Sequence, residues 1–426
     1  MKPLACPAVL VSAIASGQGK TLCTSALARA WRNRGLKVQC FKAGADFLDP
    51  MILELASGHP VYNLDLGMCG LEDVTAQLYK AAQTANVIIV EGVMGLYDGT
   101  PSSADLAIQF DLPILVTIDA SAMAQTFGAV ATGLLSYNPE LKAVGVIANK
   151  LGSVGHGQLL KDALPNHLTW FGALLNDDAF SLPERHLGLH RAAEIDDLEA
   201  KIEAAAKALS ASGELPLPPL TTFKPPVQTN LPQLLVAKTI AVARDDAFCF
   251  LYPANLDCLK AMGATLEFFS PLHDAMIPEA DAIWLPGGYP ELYLDKISQN
   301  MAMKNALQQA INNHVPVLAE CGGMMSLAET INEENGFGLL AGKSAVTKNL
   351  QGIGTQHVML NGENIAAHTF HYGVFESPLT PIARAVAKYG QGEVVYQHGS
   401  ITATFLHFYF PSNFVATAAL FLPATI

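Results

Sequence analysis

Short apolar runs recur along the first half of the chain, and stretches with helical spacing separate them. Runs rich in Val, Ile and Leu are typical of buried strands. These runs cover residues 9–13, 38–41, 87–90, 114–118 and 144–148. Residues 20–34 and 192–210 have the spacing and composition of helices instead. Strands that alternate with helices predict βαβ units, so we expect an α/β domain with a mostly parallel sheet.

This alternation stops at residues 211–232, where prolines are frequent. Proline lacks a backbone N–H and disrupts both helices and central strands. We therefore predict that residues 211–236 are a linker between an N-terminal domain, residues 1–210, and a C-terminal domain, residues 237–426. The α/β pattern then resumes with strand-like runs at residues 239–243, 282–285 and 315–319.

Composition and charge narrow the possible functions. The chain has 426 residues, of which 50% are hydrophobic and 15% charged, so it can form more than one buried core. Its net charge of −13 argues against nucleic acid as a partner, because phosphate backbones attract clustered Lys and Arg. No apolar run reaches about 18 residues, so no membrane span is expected. The seven cysteines include no CxxC pair, which fits a reducing cytoplasm.

A glycine-containing loop, residues 15–21 (Ala-Ser-Gly-Gln-Gly-Lys-Thr), lies between a predicted strand and a predicted helix. Glycine allows close approach of backbone N–H groups to phosphate, and the helix N-terminus favours an anion. Gly17, Gly19, Lys20 and Thr21 are therefore candidate ATP ligands, and the Thr21 hydroxyl also suits Mg²⁺. The strict pattern would have a further glycine where this chain has Ile14. The alternative is a turn that merely starts a helix, but the strand–loop–helix context favours a P-loop NTPase-like domain.

Four acidic residues follow neighbouring strands of this predicted sheet: Asp46, Asp49, Glu91 and Asp98. Ligands of open parallel sheets bind at the carboxyl ends of the strands. Asp46 and Glu91 are the better candidates for Mg²⁺, which prefers oxygen ligands. Some of these acids could instead cap helices, and Asp49, which precedes Pro50, is the first candidate for a cap.

A cysteine in the second half has the context of a nucleophile. Cys321 follows a strand-like run, precedes Gly322 and Gly323, and stands before a helical pattern. Such a turn presents the side chain, and the helix N-terminus favours the thiolate. Ala319 stands where such turns often have glycine. For the other six cysteines, a place in the core is the simpler interpretation.

A thiol nucleophile needs a base and donors for the oxyanion. The backbone N–H groups of Gly287, Gly288 and Gly322 are the candidate oxyanion donors. His407 and His371 are both candidate bases, and at least one of them is expected to be structural. Position 409, where an acid often follows the base, is Tyr409, so a third triad member is missing, supplied from elsewhere or unnecessary.

Together these motifs resemble the cobyrinic acid and hydrogenobyrinic acid a,c-diamide synthases, which join a dethiobiotin-synthetase-like ATPase domain to a class I-like glutaminase domain. The resemblance covers both domains. Besides the loop at residues 15–21, the motifs that carry it lie at residues 41–50, 63–65, 91–99, 185–189, 287–292, 320–324 and 370–372. This chain departs from the family pattern at Ala45, Gly373 and Tyr409.

The resemblance implies an activity. Mg-ATP would phosphorylate carboxylates of a corrin ring, with Asp46, Asp49 and Asp98 in the substrate and activation loops. Cys321 would release ammonia from L-glutamine with His407 as the base, and the ammonia would form the a and c amides. Glutamine and a corrinoid acid are thus the expected partners, with a homodimer among the states that the sequence allows.

Three alternatives remain open at this stage. One is another tetrapyrrole amidotransferase, either cobyric acid synthase-like or of the nickel-sirohydrochlorin type. The second is a P-loop partitioning or switch ATPase. The third is a protein whose glutaminase half is kept only as a scaffold.

Overall fold

The structure is a computed structural model that describes residues 1–183, 191–211, 213–227, 231–388 and 390–423. The chain divides into two units, Met1–Val227 and Gln228–Ile426. The strands of the first unit are β1 (Leu4–Ala13), β2 (Val38–Ala43), β3 (Tyr62–Leu64), β4 (Val87–Glu91), β5 (Ile114–Asp119), β6 (Ala143–Leu151), β7 (Thr169–Leu175) and β8 (Leu220–Phe223). Its α-helices are α1 (Lys20–Asn33), α2 (Leu48–Ser57), α3 (Gly70–Ala82), α4 (Ser103–Phe110), α5 (Thr126–Ser136), α6 (Val154–Asp162) and α7 (Leu198–Ser210).

The sheet of the first unit has the order β3-β2-β4-β1-β5-β6-β7, and neighbouring strands in this series run parallel. All five residues of β4 are buried, as expected for a central strand with both faces covered. The five strands predicted from apolar runs are confirmed, as is the helix after the glycine-containing loop. The carboxyl ends of β1, β2 and β4 therefore meet at one edge of the sheet.

Two segments differ from the prediction. The helix expected over residues 192–210 is divided: a 3₁₀ turn occupies Ala192–Glu194, and α7 begins only at Leu198, after Asp197 with φ 54°. Within the Pro-rich segment, β8 pairs antiparallel with the start of β1. The prolines flank Leu220–Phe223 without interrupting it, so this short stretch can still form an edge strand.

The second unit contains more strands than the first. They are β9 (Thr239–Ala243), β10 (Thr265–Phe269), β11 (Ala282–Leu285), β12 (Val317–Glu320), β13 (Ala328–Ile331), β14 (Glu334–Asn335), β15 (Leu340–Val346), β16 (Gly352–Leu360), β17 (Glu363–His371), β18 (Gly373–Glu376), β19 (Ala383–Arg384), β20 (Val386–Ala387), β21 (Val394–His398), β22 (Ile401–Thr404) and β23 (His407–Phe408). Its α-helices are α8 (Pro253–Ala261), α9 (Leu294–Gln299), α10 (Met301–Asn312), α11 (Gly322–Leu327) and α12 (Phe414–Phe421).

The main sheet of this unit has the order β10-β9-β11-β12-β22-β21-β19. It is parallel from β10 to β22, and two antiparallel strands follow. Alternate residues of β11 enter different cores: Trp284 packs into one, and Ile283 and Leu285 pack into the other. Because both faces of the sheet are covered, the strands appear in the sequence as continuous apolar runs.

Two smaller four-stranded sheets complete the unit, with the orders β14-β13-β15-β18 and β20-β16-β17-β23. The longest antiparallel pair, β16 and β17, is joined by Asn361 and Gly362, with φ 53° and 83°. These positive φ values explain the Asn-Gly sequence, which tolerates left-handed backbone. Across the described ranges, no helix has the length and apolar character needed to cross a bilayer.

Candidate functional site

The glycine-containing loop of the first unit has the backbone that its sequence predicts. Gly17 and Gly19 adopt φ values of 75° and 81°, a region that side-chain-bearing residues rarely occupy. At Gly19 there is also no space: a Cβ would lie 2.1 Å from Asn149 Nδ2. Lys20 is the first residue of α1, so the loop leads directly into a helix N-terminus. This geometry suits an anion.

Residues at the ends of β5 and β6 hold this loop in place, and no motif in the sequence points to them. The Asn149 side chain donates to Gln18 O at 3.0 Å, and Asp119 N donates to the Gln18 side chain at 2.9 Å. Lys150 forms an ion pair with Asp119 at 3.0 Å. The loop therefore rests on two neighbouring strands besides its own.

Lys20 is held by carbonyl oxygens. Its Nζ donates to Met94 O at 2.6 Å and to Ala15 O at 3.2 Å. Burial, followed by the nearby Lys42 ammonium, lowers the pKa of Lys20 to about 8. A neighbouring anion such as a phosphate would favour the charged form again.

A buried network lies beside the loop, with Lys42 at its centre. Lys42 and Glu91 are register partners on β2 and β4, and Lys42 Nζ lies 2.7 Å from Glu91 Oε1. Lys42 Nζ also contacts Asp49 at 2.5 Å, and Thr21 Oγ1 donates to Glu91 Oε1 at 3.0 Å. Burial alone would lower the pKa of Lys42, but Asp49 and Glu91 raise it above its ordinary value. The amino group of Lys42 is therefore protonated.

The two aspartates near the start of α2 do not have the roles expected from the sequence. Phe47 is the N-cap residue, and the carboxylate of Asp46, not Asp49, accepts from the first helical N–H groups, Leu48 N at 2.9 Å and Asp49 N at 3.4 Å. Asp49 lies in the first turn and turns back to Lys42. Burial opposes its charged form, but Lys42 lowers the pKa of Asp49 to about 2. The Asp-Pro dipeptide suggested a cap, yet the helix had already begun.

The fourth acid, Asp98, closes a local turn, since its carboxylate accepts from Gly95 N at 3.0 Å. It also acts electrostatically on Lys20 and raises its pKa, against the larger effect of burial. The first unit therefore places Lys20, Thr21, Asp46, Asp49 and Glu91 around one region, with Asp98 within electrostatic range of Lys20.

The donor set can be compared with what Mg²⁺ requires. Glu91 is fully buried, and within the described ranges its Oε2 has no hydrogen-bond partner. The Thr21 hydroxyl lies beside the same carboxylate. No group of three or more His, Cys, Asp or Glu residues suited to a metal occurs in the described part of the chain. The residues thus fit an ion that takes most of its ligands from phosphate and water, as Mg²⁺ commonly does.

In the second unit, Cys321 occupies a strained turn between β12 and α11. Its φ is 47° and its ψ −110°, and it donates its backbone N–H to Thr404 O at 2.7 Å. Strain of this kind at a non-glycine residue is typical of functional positions. The side chain is buried, and burial, followed by the charge of Glu291, raises the pKa of the Cys321 thiol above its ordinary value. The thiol is therefore protonated at rest.

His407, on β23, lies next to this cysteine. A Cβ added to Gly287 would lie 2.3 Å from His407 Cε1 and 3.3 Å from Cys321 Cβ, so both side chains contact the face of that glycine. Burial, and then the fields of His368 and His371, lower the pKa of His407 to about 3. The imidazole is therefore neutral, so one of its two ring nitrogens carries no proton.

The three glycines predicted to donate to the oxyanion, Gly287, Gly288 and Gly322, lie close to one another. A Cβ on Gly322 would lie 2.9 Å from Gly288 N and 2.8 Å from Pro290 Cδ. A Cβ on Gly288 would lie 2.1 Å from Ala247 O, and the Gly288 φ of 156° also favours glycine. The second unit thus brings Cys321, His407, Gly287, Gly288 and Gly322 close together.

The other candidate base, His371, is engaged elsewhere. Its Nδ1 is 2.8 Å from Gly373 O and its Nε2 is 2.9 Å from Glu393 Oε1. Glu393 was missed from the sequence, where nothing links it to a histidine 22 positions away. Of the eight motifs that carried the family resemblance, the one at residues 185–189 lies outside the described residues.

Comparison with protein families assigns a class to each unit. Residues 9–189 match the CobQ/CobB/MinD/ParA nucleotide binding domain, and residues 239–414 match the CobB/CobQ-like glutamine amidotransferase domain. A nucleotide-binding α/β unit joined to an amidotransferase unit defines a glutamine-dependent, amide-forming ligase. The alternative of a partitioning or switch ATPase does not explain the second unit.

Whole-chain relatives define the family more closely. The chain is 49% identical to the hydrogenobyrinate a,c-diamide synthase of Stutzerimonas stutzeri, covering 98% of this chain and 99% of the relative. It is 47% identical to the enzyme of that name from Pseudomonas aeruginosa, covering 98% of both chains. It is 44% identical to the cobyrinate a,c-diamide synthase of Herminiimonas arsenicoxydans, covering 97% and 96%. The chain belongs to this family of a,c-diamide synthases.

Proposed function

We propose that the protein converts the a and c side-chain carboxylates of a corrin ring acid into primary amides, using ATP and the amide nitrogen of glutamine. The names of the relatives support this substrate class, and their similarity extends over nearly the whole chain. Hydrogenobyrinate and cobyrinate, the metal-free and cobalt-containing acids, are the two candidate substrates.

Carboxylate activation is assigned to the first unit. Gly17, Gly19, Lys20 and Thr21 bind the triphosphate of ATP. A carboxylate oxygen of the corrinoid attacks the γ-phosphorus, the bond to ADP breaks, and an acyl phosphate forms. Lys20 leaves its carbonyl partners for the phosphates, where its charge offsets the developing negative charge.

Thr21 and Glu91, with Asp46 nearby, would hold Mg²⁺, which supplies further positive charge to the phosphates when bound. Asp46, Asp49 and Asp98 are assigned to substrate positioning. The ordered start of α2, set by Asp46 and by the contact between Asp49 and Lys42, supports this assignment. The loop is thereby fixed before a substrate arrives.

Nitrogen release is assigned to the second unit. His407 accepts the Cys321 proton as sulfur attacks the amide carbonyl carbon of glutamine. The N–H groups of Gly287, Gly288 and Gly322 stabilise the oxyanion. The histidine then gives the proton to the leaving nitrogen, ammonia departs, and water hydrolyses the thioester to glutamate. Ammonia attacks the acyl phosphate carbonyl, phosphate leaves, and the cycle repeats at the second carboxylate.

One observation carries the glutaminase assignment. The side chains of Cys321 and His407 both pack so closely against Gly287 that no Cβ would fit there. A strained cysteine and a neutral imidazole against one glycine form a nucleophile–base pair, which a structural cysteine would not need.

The substrate is tested by incubating the protein with ATP, glutamine and either hydrogenobyrinate or cobyrinate, and by measuring product mass. We expect a diamide at the a and c positions. Amidation of other carboxylates, or of a nickel tetrapyrrole, would contradict the assignment. With ¹⁸O in the substrate carboxylates, the acyl phosphate route delivers one ¹⁸O atom to phosphate for each amide formed. Unlabelled phosphate would exclude that route.

A further inference from the structure

His371 has hydrogen-bond acceptors on both sides of its ring. Nδ1 is 2.8 Å from Gly373 O, a carbonyl oxygen, and Nε2 is 2.9 Å from a carboxylate oxygen of Glu393. A neutral imidazole has one N–H, so both contacts can be hydrogen bonds only if the pair carries an additional proton, on the ring or on the carboxyl group. Neither ring nitrogen is then available to take a proton from Cys321.

The space around this pair is closed. A Cβ on Gly352 would lie 2.4 Å from Glu393 Oε1 and 2.6 Å from His371 Nε2. The Gln356 side chain accepts from Glu393 N at 2.8 Å, and Thr369 Oγ1 lies 3.5 Å from the Glu393 carboxylate. Strands β16 and β17, and the residue before β21, therefore fix the pair in one arrangement.

The His371 ring also stacks on Phe405. The ring centroids are 3.9 Å apart and the planes differ by 5°. A protonated imidazole in this position attracts the aromatic face more strongly than a neutral one. Phe405 directly follows Thr404, whose carbonyl oxygen accepts from Cys321 N at 2.7 Å, and it lies two residues before His407. The stack therefore holds the segment between Thr404, which accepts the hydrogen bond from Cys321 N, and His407.

We propose that His371 and Glu393 form a positioning pair for the glutaminase reaction, holding residues 404–407 through Phe405 so that His407 faces Cys321. This inference rests on the proposed roles of Cys321 and His407. The pair itself does not touch the reacting atoms.

The test compares His371→Gln and Glu393→Gln with His357→Gln, a matched change on the exposed side of β16. We measure kcat and KM for glutamine hydrolysis, and amidation driven by ammonia. Misplacement of a base should lower glutaminase kcat by about tenfold or more in both pair variants. The KM for glutamine should stay within about twofold. His357→Gln and the ammonia-driven rates should match the wild type.

The double variant shows whether the two residues act as a unit. If they do, His371→Gln with Glu393→Gln should be no slower than the worse single variant, within about twofold. Unchanged kcat, or a rise in KM alone, in the single variants would overturn the proposal. So would loss of cooperative thermal unfolding in both, which would make the pair a stability element. Failure of the proposed function looks different: Cys321→Ala would retain glutamine-driven amidation.

Discussion

The two candidate centres of this chain differ in charge at rest. In the first unit, the charged ammonium group of Lys42 lies between Glu91 and Asp49. This charge is present before any substrate binds. In the second unit, Cys321 has a raised thiol pKa and His407 has a pKa of about 3, so both groups are neutral. One centre is charged in advance, whereas the other is not.

This difference corresponds to the two chemistries proposed for the units. Phosphoryl transfer concentrates negative charge, and fixed cations reduce its cost only if they are already in place. A thiolate, by contrast, reacts with many electrophiles, and a cysteine that stays protonated until glutamine binds avoids such reactions. Under the proposed mechanism, proton transfer from Cys321 to His407 therefore accompanies attack on glutamine and does not precede it.

The largest effect should follow removal of the central cation of the first unit. Lys42→Met leaves the buried Glu91 and Asp49 carboxylates without their partner. We expect amidation to fall by about 10²–10³-fold with either nitrogen source. Loss of one member of a buried ion pair should also lower the free energy of unfolding of this unit by about 3–5 kcal/mol.

Steady-state amidation rates and thermal unfolding measure these effects, with the exposed Lys37→Met as the matched control. Glutamine hydrolysis should persist in the variant. If amidation by Lys42→Met stayed near the wild-type rate, the idea of a centre charged in advance would be wrong.

The resting state of the second centre can be read from thiol reactivity. Because burial raises the pKa of Cys321, its alkylation by iodoacetamide should be slow at pH 7 and rise about tenfold per pH unit through pH 9. The Cys321→Ala protein supplies the background from the six other cysteines. A plateau near neutral pH would reveal a preformed thiolate and imidazolium, and would remove the contrast between the centres.

The smallest effect should follow loss of a side chain that supports the glycine-containing loop at residues 15–21. Asn149→Ala deletes a single hydrogen bond to Gln18 O, worth about 0.5–1.5 kcal/mol. The KM for ATP should rise by about two- to tenfold while glutamine hydrolysis is unchanged. The exposed Asn33→Ala is the control. An increase in the KM for glutamine instead would mean that Asn149 does not act through the glycine-containing loop.

The sequence predicted those parts of the fold that depend on local pattern. Continuous apolar runs such as the one in β4 identify buried parallel strands, and the cysteine turn was visible in the residues around Cys321. The β16–β17 hairpin was missed, although Asn361-Gly362 between two strand-like segments is a known hairpin signal. Attention to that dipeptide would have found it.

Parts of the sites depend on register between distant strands and could not be predicted. Lys42 was visible in the motif at residues 41–50, but only its pairing with Glu91 across β2 and β4 shows that it is the central cation. The His371–Glu393 contact similarly needs the arrangement of three strands. A change of register by one residue would move either side chain to the other face of its sheet, so sequence spacing alone does not determine these contacts.

The central claim is that Lys20 serves carboxylate activation and Cys321 serves nitrogen release, each in its own unit. The most direct test measures amidation by Cys321→Ala with glutamine and, separately, with ammonium salts at pH 8–9. We predict that glutamine-driven amidation disappears while ammonia-driven amidation continues near the wild-type rate. Loss of both activities in a folded protein, or retention of the glutamine-driven reaction, would contradict the account.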